Sequence, residues 1–146
     1  MTATATAPAA PKYARDQAII DEFRANEGVV GGYFAGVPIA LVHHTGARSG
    51  VQRIAPLATQ PLDNGIAVFA SKGGADENPA WYYNLLANPE TTVEFGTETF
   101  AARAHEAQGT EYERIWNKQK AIIPTFAEYE RKTARAYIPV IVLERI

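Results

Sequence analysis

The stretch most able to do chemistry is the turn Gly46-Ala47-Arg48-Ser49-Gly50-Val51-Gln52-Arg53. Its two glycines let the chain reverse and expose backbone N–H groups, which can cradle an anion. Arg48 and Arg53 add charged, planar donors suited to phosphate or carboxylate. A plain hairpin turn with solvated basic residues would carry the same letters. A second stretch, Ser71-Lys72-Gly73-Gly74, directly follows an apolar strand. There it either sets a cation and N–H groups against a ligand or serves as an ordinary polar loop. The third is Asn78-Pro79-Ala80-Trp81-Tyr82-Tyr83-Asn84, which reads as a helix start with Asn78 as N-cap and Pro79 as first helical residue. A helix N-terminus favours anions and an indole can pack along an aromatic ligand, although Trp81 could equally be core.

Other chemistries find no support. Gly31 and Gly36 have P-loop glycine spacing, but Val37 and Pro38 replace the required Lys and Ser/Thr. No G-x-G-x-x-G is present, which argues against a dinucleotide Rossmann domain. His43 and His44 are adjacent, so on a strand they face opposite ways and are poorly placed to share a metal. His105 stands alone, and neither a nucleophile triad nor a metal site emerges.

The elements that must position these stretches follow from periodicity. Residues 12–27 carry Ala18, Ile19 and Phe23 on one helical stripe, and Gly28, Gly31 and Gly32 end the pattern. Runs at 37–44 and 54–60 flank the arginine turn and predict a hairpin. Asp63-Asn64-Gly65 predicts a second tight turn before a strand at 66–70. A helix over 80–87 stops at Asn88-Pro89, and short strands at 92–95 and 99–104 join through Gly96. Thr110 with Glu113, and Thr125 with Glu128, have capping-box spacing. Behind the first, Tyr112, Ile115, Trp116, Gln119 and Ile123 share a helix face; behind the second, Phe126 and Tyr129 do. Residues 138–144 (IPVIVLE) close the chain as a strand. Hairpins dominate, which favours α+β with an antiparallel barrel over a parallel sheet.

Composition sets the outer limits. A chain of 146 residues favours one domain, here 12–146, after an uncharged Ala/Thr/Pro stretch, 1–11, expected to be a flexible tail. Apolar residues make up 47%, as in soluble globular proteins, and the net charge of −2 predicts neither a nucleic acid nor an anionic membrane as partner. Cysteine is absent, which fits a reducing compartment and removes thiol chemistry. Lys12, Arg15 and Arg24 face Asp16, Asp21, Glu22 and Glu27 in the first helix, a slightly acidic balance unlike that of a membrane-surface helix. The expectation is a cytoplasmic protein with at most weak, peripheral membrane-surface contact.

Taken together, GARSGVQRIAPL (46–57), FASKGGADENPAWYYNLLANPETTVE (69–94) and PTFAEYERKTARAYIPVIVLE (124–144) resemble the deazaflavin (F420)-dependent nitroreductase family. EFRANEGVVGGYFAGVPIALVHHTGARSG (22–50) resembles its quinone- and nitro-reducing branch. Each motif is weak alone, and their order and spacing carry the likeness. It implies an antiparallel split β-barrel with flanking helices, similar to flavin-binding barrels, and coenzyme F420 as cofactor. The activity implied is transfer of a hydride from reduced deazaflavin to a quinone, nitroaromatic or enone, by a monomer or homodimer. By position, Arg48, Ser49 and Arg53 would serve the phosphate or oligoglutamate tail. Ile54, Pro56, Leu57, Ala70 and Ser71 would line the ring, and Lys72, Gly73, Asn78, Ala80, Trp81 and Asn84 would complete the pocket. Phe126 and Tyr129 resemble substrate-side aromatics; Ser71 and Tyr129 would orient or polarise the acceptor. Phe126 stands where a tyrosine is frequent, and Tyr137 where a charged residue is usual. The alternatives are an FMN- or FAD-binding barrel and a non-catalytic carrier of a cofactor or hydrophobic ligand.

Overall fold

In the computed structural model, which describes residues 11–146 and side chains from residue 14 onward, the chain opens with helix α1 (Pro11–Ala25). The expected tail lies outside the described residues except for Pro11, which begins α1. The predicted hairpin follows: β1 (Ile39–Thr45) pairs antiparallel with β2 (Gln52–Leu62), with His44 opposite Arg53. Asp63 and Asn64 then turn the chain into β3 (Gly65–Phe69), with Leu62 opposite Gly65. Helix α2 (Ala80–Ala87), strands β4 (Glu90–Phe95) and β5 (Glu98–Glu106), helices α3 (Gly109–Ile122) and α4 (Thr125–Lys132), and strand β6 (Val140–Arg145) complete the order. The six strands close into a barrel in the order β1-β2-β3-β6-β5-β4, every pairing antiparallel.

Strand alternation sorts side chains between the inside of the barrel and the helices around it. On β3 and β6, Ile66, Val68, Ile141 and Leu143 point inward, where the indole of Trp81, with Tyr82 and Leu85 from α2, joins the same cluster. Six strands enclose a narrow space, and Ala40, Ala55, Ala102 and Ala104 fit it. The alternate residues Ala67, Phe69, Val140 and Val142 pack outward against Ile115 and Trp116 of α3 and Phe126 of α4. Both faces of these strands are covered, so 138–143 reads as an unbroken apolar run, which ends at the exposed Glu144. On the far side, Ile39 and Leu41 of β1 pack against Ile20 and Phe23 of α1.

Three helix starts differ from the sequence expectation. Pro79, not Asn78, is the N-cap of α2, and the helix begins at Ala80. The Asn78 side chain is committed elsewhere: its Oδ1 accepts from Arg135 at 2.6 Å. Neither capping box forms. Helix α3 begins at Gly109, so Thr110 already lies in its first turn. In α4 the Phe126 and Ala127 N–H groups bond to the carbonyls of Ile123 and Pro124, which leaves Thr125 no capping task. The stripe Ile115, Trp116 and Gln119 is buried as expected, and Ile123 lies just past the end of α3.

Candidate active site

An open cavity of about 1210 Å³ lies along β2, between the loop after β3, the start of α2, helix α4 and the inner face of α1. That exceeds the roughly 300–1,000 Å³ usual for one small ligand, so there is room for a large cofactor beside a second molecule. Arg53, Ile54, Pro56 and Leu57 of β2, Ser71, Lys72 and Gly73 of the loop, Ala80 and Trp81 of α2, and Phe126 and Tyr129 of α4 all line it.

The remaining predicted residues lie behind or beside this wall. Ala70 is fully buried in the barrel core. Asn84 is buried and ties two pieces together: its Oδ1 accepts from the Ala47 N–H at 2.9 Å, and its Nδ2 donates to His44 Nδ1 at 3.0 Å. His44 itself lines the cavity, while His43 points outward to Glu94, so the two imidazoles diverge as their adjacency predicts. Ser49 Oγ accepts from the Val51 N–H at 3.1 Å and so shapes the turn. Arg48 is exposed on that turn, outside the cavity lining. Among the described residues no carboxylate pairs with Arg48 or Arg53, whereas Lys72 lies 3.4 Å from Glu77.

The Ser71 loop is held in an uncommon conformation. Ser71 is right-handed helical (φ −73°, ψ −41°), and Lys72 and Gly73 follow with φ of 47° and 64°. A right-handed residue followed by left-handed ones turns successive N–H groups toward one side, the arrangement that receives anions. Lys72 carries a side chain in a region that disfavours one, a cost that persists only where the surroundings enforce it. Arg135 is the main enforcer. Its guanidinium donates to the carbonyls of Ala70 (2.8 Å) and Ser71 (2.9 Å), to Asn78 Oδ1 (2.6 Å) and to Thr133 Oγ1 (2.8 Å). Burial lowers the guanidinium pKa from its ordinary value, yet an arginine stays charged. Gly74 fixes the other end: its φ of 84° disfavours a side chain, and a Cβ there would press to 3.2 Å on the Tyr129 backbone, so glycine suits the docking of the loop on α4.

Tyr129 is half-buried at the cavity, and burial pushes its pKa up to about 12, with the hydroxyl of Tyr33 adding to the rise. It therefore keeps its proton at neutral pH and can donate a hydrogen bond. Arg135, His44, Tyr33 and the α1 residues Asp16, Gln17, Ile20 and Arg24 were not read from sequence as site residues. No local motif marks them, because the fold brings Arg135 to the loop behind the cavity and the others to its wall from distant segments.

The chemistry of the lining suits a ligand with both a flat ring and an anionic extension. Ile54, Leu57 and Trp81 offer apolar walls, and Arg53 with the N–H groups of the loop offers a cationic, donor-rich end. A small antiparallel barrel with such a groove along one strand has room and chemistry for a ring-bearing, anionic cofactor. Comparison with known proteins makes the assignment specific: residues 14–145 match the model of the F420H(2)-dependent quinone reductase family, and the chain belongs to that family. It is 33% identical over 129 residues to an F420H(2)-dependent quinone reductase of Mycobacterium tuberculosis, covering 84% of this chain and 85% of the relative. A solved structure described as a domain-swapped dimer is 37% identical, covers 91% of this chain and 98% of its own, and superposes with a TM-score of 0.69. The structure of an F420-H2 dependent reductase is 39% identical with a TM-score of 0.65, over 72% of this chain and 93% of its own. The chain is thus an F420-dependent oxidoreductase, and the resemblance noted in its sequence is borne out in fold, cofactor and activity.

Proposed function

We propose that the β2 side of the cavity holds the cofactor and the α1–α4 side receives the acceptor. The observation that carries this reading is the division of chemistry around one space. Arg53, which makes no ion pair among the described residues, and the loop N–H groups lie at the β2 end, and neutral aromatic hydroxyls lie at the α4 end. Arg53, with Arg48 and Ser49 at the turn, would take the phosphate and acidic tail. Ile54, Pro56, Leu57 and the Ser71-Lys72-Gly73 backbone would hold the ring, with Ala80 and Trp81 closing its edge. Ala70, Asn78 and Asn84 would act from behind, by fixing the loop and the turn. When bound, the reduced deazaflavin supplies the hydride. The protein's own part is to keep the two ligands in register and to exclude water. It would also place a donor, Ser71 or Tyr129, against the oxygen of the acceptor that gains charge.

Quinones suit the open, aromatic end best, and nitroaromatics or enones share the same planar shape and oxygen acceptors. No helix among the described residues is long and apolar enough to cross a membrane. We place the protein in the cytoplasm as a monomer or homodimer that meets lipid-borne acceptors only at the bilayer surface. Titration with F420 and with FMN, read by fluorescence and calorimetry, tests the cofactor assignment. The expected result is selective F420 binding that weakens with salt, because exposed ion pairs are screened. Equal or tighter FMN binding would overturn it. Absence of turnover with reduced F420 and a quinone panel would leave only a carrier.

A further inference from the structure

We propose that Tyr33 is a second acceptor-binding residue and forms, with Tyr129, a two-hydroxyl clamp for a carbonyl or nitro oxygen. The proposal rests on the placement of the acceptor at the α4 end of the cavity. Tyr33 is 81% exposed, an unusual state for a large aromatic side chain. It sits in the 3₁₀ turn Gly32–Phe34, its ring edge-to-face on Phe34 at 5.1 Å, and Phe34 packs on the Ile20 and Phe23 cluster. Its hydroxyl lies 2.9 Å from that of Tyr129, and both side chains line the cavity. The pair therefore spans the rim, with one partner from the chain before β1 and one from α4.

Donor arithmetic then assigns the function. Two protonated hydroxyls bring two hydrogens, and their mutual bond uses one. Neither hydroxyl makes a further hydrogen bond among the described residues. The second hydrogen is thus available to a ligand, and it is strengthened because its oxygen already takes part in a polarised pair. Such a donor would favour planar acceptors whose oxygen gains negative charge on reduction, since that bond tightens as charge develops. Hydrocarbon ligands of equal size would draw nothing from it.

The test uses the full chain loaded with F420 and menadione as the probe. Tyr33→Phe keeps the ring and removes only the hydroxyl. Expected are an unchanged F420 dissociation constant and an unchanged melting temperature. Menadione affinity on the oxidised, non-reacting complex should fall by about 2- to 13-fold, the range of one neutral hydrogen bond, with a matching rise in KM. Tyr129→Phe should act similarly, and the double variant should lose less than the product of the two single losses. Wild-type menadione affinity and KM in Tyr33→Phe, in a protein whose wild type turns over, would overturn the clamp alone. A fall in melting temperature or in F420 affinity that accounts for the loss would make Tyr33 a structural latch and equally overturn it. A wild type that binds no F420 or reduces no quinone would instead overturn the proposed function, and the clamp with it.

Discussion

The two sides of the cavity are built by different physics. The β2 side is fixed by ladders: β2 pairs with β1 along one edge and with β3 along the other, and Arg135 ties the loop after β3 to the segment before β6. The opposite side is α1 and the chain that follows it, held mainly by side chains: Ile20, Phe23 and Val30 bury against Ile39 and Leu41, and a few polar contacts add to them at the surface. Arg24 pairs with Glu94, the Gly31 N–H donates to Glu22, and Tyr33 meets Tyr129. Gly28 packs so closely on Gly96 that a Cβ there would come within 2.7 Å of it. A side fixed by backbone pairing can hold one cofactor in one register. A side held by a small apolar cluster, with only exposed side-chain pairs at its rim, costs less to change at that rim, which is where a family can vary its acceptors.

The sharpest way to break this contrast is Arg135→Ala. It leaves the carbonyls of Ala70 and Ser71 and the Asn78 amide without their shared donor. Losing even one charge-assisted hydrogen bond costs about 1.5–3 kcal/mol. At about 2–4 °C per kcal/mol for a chain near this size, the melting temperature should fall by roughly 5–10 °C. F420 affinity should fall more than tenfold, since Lys72 and Gly73 would relax from positive φ. A variant with wild-type melting and binding would show that the loop needs no clamp, and the two sides would then be equally soft.

Arg53→Ala should come next, and should act on binding alone. Arg53 is exposed at the end of β2 and makes no ion pair among the described residues, so its removal leaves the fold intact. A lost charge-assisted bond predicts a roughly 10- to 150-fold weaker F420 dissociation constant, with a shallower salt dependence. Unchanged affinity in calorimetry would reduce Arg53 to a solvated turn residue.

The β2 side was the legible one, and the reason is local. Its pieces are short contiguous stretches, a glycine-arginine turn, a loop after an apolar strand and a helix start, each readable within about eight residues. Even there, reading stopped at the first layer. Asn78 looked like a helix cap because Asn-Pro before an apolar run usually is one, but Arg135, 57 residues later, takes its side chain. Nothing in Thr133-Ala134-Arg135 signals a clamp, since the carbonyls it holds belong to another segment. The capping boxes failed for a related reason: backbone carbonyls or an earlier helix start had already met the need. The α1 side stayed hidden because a helix stripe announces burial without saying against what. Only barrel closure sets Ile20 and Arg24 at the cavity, and only the 3₁₀ turn brings Tyr33 to Tyr129.

The smallest expected effect belongs to the Arg24–Glu94 pair, and it tests how lightly the α1 side is held. Arg24 reaches both Glu94 oxygens, at 3.0 and 2.7 Å, and His43 Nε2 lies 2.7 Å from the same carboxylate. The Arg24 bond holds the Glu94 carboxyl below its ordinary value, with burial opposing and His43 assisting. A carboxyl whose folded pKa is depressed contributes stability above its unfolded value, here near 4.5, and loses it as pH falls through the folded value. The Arg24 side chain is 47% exposed, so solvent screening limits the pair to about 0–1 kcal/mol. Glu94→Gln should therefore lower the melting temperature at pH 7 by no more than about 4 °C. As pH falls from 4.5 through the lower folded value, the wild type protonates Glu94 and loses the same interaction, so the two melting curves should converge, while F420 affinity at pH 7 stays unchanged. Circular-dichroism melts from pH 7 to pH 3 read this directly. A gap that persists undiminished at pH 3 would show that the carboxylate charge is not what holds α1. A gap at pH 7 larger than that of Arg135→Ala would reverse the order of the two sides and make α1 the more firmly built wall.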